Sequence, residues 1–166
     1  YFERVRQCLL RGGVTVELMI LPALSMGLWN RLKNLLAAAR CRRQLCHVTG
    51  DVHYAVLLLR RNQTVLTVLD CEILHRLKGL RRFVLKLFWF RWPLQKVSRV
   101  TVISLETQRQ LIKEVNFPVD RIHVIPVSVS PLFVPVEATF RSDCPRILQV
   151  GTKANKNVPR LVQALQ

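Results

Sequence analysis

Residues 151–157, Gly-Thr-Lys-Ala-Asn-Lys-Asn, follow a short apolar run and precede a helix-forming stretch with Pro159 in its first turn. That order suits anion binding. Gly151 lets a phosphate approach the backbone, a helix start offers free N–H groups and a positive dipole end, and Lys153 and Lys156 add full charges. A solvated loop carrying two lysines has the same pattern. A second group, His47, Asp51, His53, Asp70 and Ser104, stands in or just behind apolar runs of strand length. In a parallel α/β sheet those are the carboxyl ends of strands, where ligands bind. Each has a plainer alternative: a satisfied structural histidine for His47 and His53, a helix cap for Asp70 and Ser104.

The elements that would position these residues alternate along the chain. Strands are expected at 14–21, 45–48, 64–69, 99–103, 121–125 and 146–150, where apolar and β-branched residues cluster between turn signals. Helices are expected at 1–11, 28–40, 53–60, 80–97, from Ser104 to about Asn116–Pro118, and from Asn157. Pro93 should kink or end the helix at 80–97. Near-continuous runs such as Thr64–Leu69 suit strands buried on both faces, and the alternation predicts a Rossmann-like, doubly wound parallel sheet. Prolines 126, 131, 135 and 145 mark a connector. The expected layout is a first domain at 1–125, a linker at 126–145, and the first βα unit of a second domain at 146–166.

Composition narrows the partners. The 166 residues carry 26 Lys+Arg against 10 Asp+Glu, a net charge of +16 and a pI of about 11.0. Half of the chain is apolar, which excludes disorder and fibrous repeats. Five cysteines without a C-x-x-C pair argue against a disulfide framework or a zinc site. Between Glu72 and Glu106 there are eight basic residues, no acid, and five of the twelve aromatics. Leu80, Phe83, Val84 and Leu87 recur there at helical spacing with Arg81, Arg82 and Lys86 between them. Such a helix reads as a membrane-surface element over residues 76–99, or as a core-facing helix with a solvated basic back. No zinc-finger spacing or RNA-recognition motif accompanies the charge, so no nucleic acid partner is expected.

Four stretches together resemble glycosyltransferase family 4, retaining enzymes of the GT-B fold. RILQVGTKANKNVPRLVQAL at 146–165 is similar to the opening of that family's C-terminal domain. Residues 98–133, with VTVIS, ETQRQLI and VIPVSVSPLF, are similar to the end of its N-terminal domain. CHVTGDVHY at 46–54 and TVLTVLDC at 64–71 resemble acceptor-side loops of one bacterial branch. The likeness covers roughly residues 45–165. It departs at Leu69, where the pattern T-x-H-D has histidine, and at Val127, where V-I-P-N has asparagine.

The resemblance implies a sugar transfer from a nucleoside-diphosphate sugar to a polysaccharide or lipid-linked acceptor, with retention and without a metal or other cofactor. By it, Gly151, Thr152, Lys153, Lys156 and Asn157 would hold the donor diphosphate, and His47, Asp51, His53 and Asp70 would line the acceptor side. No catalytic residue is assigned. The family's first strand would precede Tyr1 and its paired glutamates, E-x7-E, would follow Gln166, so the chain reads as an inactive fragment. A cytoplasmic location is expected, peripheral on the inner face of the membrane. The alternatives are a non-catalytic basic α/β module or a degenerate family member binding membrane or nucleic acid.

Overall fold

Four short apolar segments pair side by side in the computed structural model, which describes residues 2–129, 132–135, 137, 140–152 and 156–165. Strands β1 (Cys46–Val48), β2 (Thr64–Val68), β3 (Arg99–Val102) and β4 (Ile122–Val124) form one parallel sheet in the order β1-β2-β3-β4. Leu66 stands opposite both Val48 and Val100, and Val102 opposite both Val68 and Val124. The chain is thus an α/β protein with a four-stranded parallel sheet.

Parallel neighbours need crossovers, and here every crossover carries helix. A 3-10 helix, His53–Leu58, joins β1 to β2. Between β2 and β3 come α3 (Glu72–Arg76), α4 (Gly79–Leu85), a π-helical segment Lys86–Arg91, and α5 (Trp92–Gln95); α6 (Leu105–Val115) leads to β4. Two helices, α1 (Phe2–Arg11) and α2 (Leu28–Ala39), precede the sheet. Among the described residues no helix is long and apolar enough to cross a membrane.

All three crossovers feed one core. Tyr54 and Val56, Leu74, Phe90 and Leu94, and Leu111 pack with Leu66, Val68, Val100 and Val102, most of them with no exposed surface. A parallel sheet whose strands advance in one direction by right-handed connections collects its helices on one face. The doubly wound expectation needs a reversal of strand order, which none of the described strands makes. The other face carries a polar row, which the Phe2 ring of α1 meets at His47. His47 Nε2 lies 2.7 Å from Thr67 Oγ1, which lies 2.6 Å from Thr101 Oγ1.

Local chemistry sets the boundaries. Ser104 caps α6, its Oγ accepting from the Thr107 N–H at 3.1 Å, and Asn116 ends that helix in the left-handed conformation. Glu114 ties α6 to the neighbouring helical run, at 2.6 Å from Arg82 and 3.6 Å from Lys86.

Two expected strands are absent. Residues 14–21 and 146–150 have strand composition but no regular structure, and Ile20 and Leu148 are 81% and 89% exposed. Composition makes a strand only where an edge is free to pair with it. The helix expected at 53–60 is a 3-10 helix, and the one expected at 80–97 divides at its π segment, with Pro93 in the first turn of α5.

The chain divides into two compact units, Tyr1–Ser128 with the sheet and Val129–Gln166 with α7 (Val158–Ala164).

Candidate functional site

The loops leaving β1 and β2 enclose a hollow of about 160 Å3, lined by Gly50, Asp51, His53, Leu69, Asp70, Ile73 and Phe90. Gly50, at φ 78°, turns the chain back so that Asp51 and His53 face the end of β2. Three of the four expected acceptor-side residues, Asp51, His53 and Asp70, therefore meet in one place.

His53 is 4% exposed, and its Nδ1 lies 2.9 Å from the Trp89 carbonyl oxygen. A carbonyl only accepts, so Nδ1 carries the proton. Its ring packs at 5.3 Å from Phe90 and 6.1 Å from Trp89. Burial holds its pKa below the ordinary 6.5, against the bond to Trp89 and the pull of Asp51 and Asp70. The imidazole is neutral near pH 7, and Nε2 presents a lone pair with no protein partner among the described residues.

The helical register changes here: the Trp92 N–H reaches back five residues to the Leu87 carbonyl, and Pro93, which has no N–H, stands in the first turn of α5. The carbonyl that His53 meets is that of Trp89, inside the π-helical segment. The same residue holds Asp51, its indole Nε1–H donating to Oδ1 at 2.8 Å. Arg31 lies over the indole ring at 4.9 Å. Asp70 Oδ1 accepts from the Glu72 N–H at 3.0 Å, one position ahead of Cys71, the N-cap of α3, while Asp70 lines the hollow.

The site is one-sided in its chemistry. Asp51 and Asp70 each keep one carboxylate oxygen without a partner among the described residues, and His53 adds Nε2. No lining side chain has a free donor. Leu69, Ile73 and Phe90 supply apolar wall. A group of acceptors on an apolar floor suits a ligand rich in hydroxyl donors and disfavours an anion.

His47 is elsewhere. It sits within β1, on the opposite face of the sheet, held by Thr67 and met edge-on by the Phe2 ring at 6.3 Å. Burial lowers its pKa as well. Ser104 is the cap of α6.

The expected diphosphate residues belong to the second unit. Gly151 has φ 84°, and Lys156 carbons lie 3.5 Å from where a Cβ on Gly151 would stand. Asn157, at φ 56°, precedes α7 without a side-chain capping bond, and Thr152 is exposed. Lys153 lies outside the described residues.

Trp89, Phe90 and Ile73 were not expected in a site. The available signal was Pro93, which marks a break in the helix without saying which side chains turn inward. No family model, curated protein or solved structure matches the chain.

Proposed function

We propose that the chain acts as a retaining, metal-independent glycosyltransferase, moving a sugar from a nucleoside-diphosphate sugar to a polysaccharide or lipid-linked acceptor, with its sheet on the acceptor side. The observation that carries this is the hollow itself: Asp51, His53 and Asp70, all presenting acceptors, gathered on apolar wall at the carboxyl end of a parallel sheet. Nε2 of His53 accepts from an acceptor hydroxyl and orients its oxygen, and the free carboxylate oxygens take neighbouring hydroxyls. Gly151, Thr152, Lys153, Lys156 and Asn157 offer backbone N–H groups and cations to the diphosphate, whose charge grows as it leaves. The GT-B architecture belongs to the same reading. An anionic membrane surface, met through residues 76–99, keeps a cytoplasmic enzyme beside its acceptor.

Nuclear magnetic resonance tests this. Methyl glycosides of neutral hexoses should shift the His53 ring signals, and uridine or guanosine diphosphate should shift the Gly151 and Lys156 amides. Glycosides that move no signal around the hollow, in a chain shown to be folded, sink the acceptor assignment; diphosphates that move none sink the donor assignment.

Leu69 favours a second reading, a family member that has lost turnover, because the wall then lacks the polar atom that T-x-H-D supplies. Leu69→His should tighten glycoside binding if the hollow is an acceptor site, and should leave it unchanged if Leu69 is mere packing.

A further inference from the structure

At the amino ends of the strands, away from the hollow, lies a groove of about 730 Å3. Arg61 enters it just before β2, Arg121 just before β4, Lys86 and Arg91 from the π-helical segment, and Lys113 from the end of α6. Five cations face one carboxylate, Glu114, which Arg82 and Lys86 already occupy. Arg61, Arg91 and Lys113 have no acidic partner among the described residues. Arg121 is fixed by donating to the Val97 and Ser98 carbonyls and lies over the Phe117 ring at 4.8 Å. Burial and the nearby Arg61 hold its pKa below the ordinary arginine value. A fixed guanidinium among unpaired cations is a place where an anion relieves repulsion.

The same helical run that supplies Lys86 and Arg91 exposes apolar side chains. Leu80 is 77% exposed and Phe83 63%, and Phe88 and Trp92, also exposed, pair edge-on at 4.6 Å. A water-soluble polyanion gains nothing from these residues. An anionic bilayer satisfies both sets, its headgroups meeting the cations and its acyl boundary the apolar stripe.

We propose that the groove of Arg61, Arg91, Lys113 and Arg121 is a headgroup site for an anionic phospholipid, which seats the Leu80–Trp92 stripe in the membrane interface. The site extends the membrane contact proposed above to residues outside 76–99, and it is independent of sugar transfer.

Vesicle co-sedimentation of the whole chain tests it. The chain should bind phosphatidylcholine vesicles that contain phosphatidylglycerol and not those of phosphatidylcholine alone. Each cation near an anionic surface is worth about fivefold in affinity, so Arg61→Gln with Lys113→Gln should lose about thirtyfold. Both side chains are exposed and form no bond the fold requires, and Arg61→Lys with Lys113→Arg should bind as the parent does. Lys33→Gln with Arg43→Gln removes equal charge from another surface and should lose much less. Equal losses in the two pairs would leave only diffuse attraction by a +16 chain, and the groove assignment falls. If Phe88→Ser with Trp92→Ser abolishes binding while the groove pair does not, membrane contact stands and the headgroup site falls. Groove-dependent binding of an RNA oligonucleotide without vesicle binding, or release by millimolar phosphate beyond matched chloride, would also overturn the lipid assignment.

Discussion

Mild acid should weaken the fold through two histidines, and the size of the loss can be worked in advance. His47 and His53 both have folded pKa values below the ordinary 6.5, burial being the first cause in each. Well above pH 6.5 both are neutral, folded or unfolded, and no linkage operates. Below it the unfolded chain takes up a proton that the folded chain refuses, so the unfolded state binds more protons and stability falls with pH. The loss ends at the folded pKa values. For a group that stays neutral when folded, going from pH 6.5 to 5.5 costs about 1 kcal/mol, so the pair costs at most about 2 kcal/mol. With a urea slope of about 2 kcal/mol/M, the midpoint should drop by as much as about 1 M. Carboxylates whose pKa values are lowered, such as Glu114 beside Arg82 and Lys86, weaken the fold only below the ordinary carboxyl range, so this window isolates the imidazoles. Urea melts at stepped pH, with His53→Gln and His47→Gln beside the parent chain, provide the assay. Each variant should remove its own share of the slope. A double variant that keeps the full slope, or a midpoint that rises on acidification, would refute the reasoning.

Further substitutions probe the framework. Trp89→Phe removes the indole donor to Asp51 and should cost about 1–2 kcal/mol in chemical denaturation, the partner being a carboxylate that water can reach in part. Leu66→Ala opens the centre of the core and should cost about 2–5 kcal/mol, read from the same melts. Ser104→Ala removes the cap of α6 and should cost about 1 kcal/mol, with Ser104→Asn restoring most of it.

Four of six expected strands form, and the reason is visible in their neighbours. Thr64–Val68 and Arg99–Val102 are central, each flanked by a strand on both sides, so their apolar runs are paired and covered. Residues 14–21 are also a run rich in apolar and β-branched residues, but pairing is a property of two segments and is not written in one. The grouping of Asp51, His53 and Asp70 was legible because the carboxyl-end rule turns strand positions into site positions. His47 lies within the strand expected at 45–48, and alternation turns it to the far face, away from the loop that carries Asp51 and His53. Periodicity marked Leu80, Phe83 and Val84 as one stripe, and they are exposed. It did not separate them from Trp89 and Phe90, which the π-helical segment turns into the core; the change of helical period had no marker except Pro93.

The π-helical segment leaves a further trace. The nitrogen of His53 that bears the proton is decided by the Trp89 carbonyl, and that carbonyl stands where the helical register has slipped by one residue. The acid–base identity of the hollow is thereby set by backbone outside its wall, so the lining side chains alone do not decide which edge of the ring is basic.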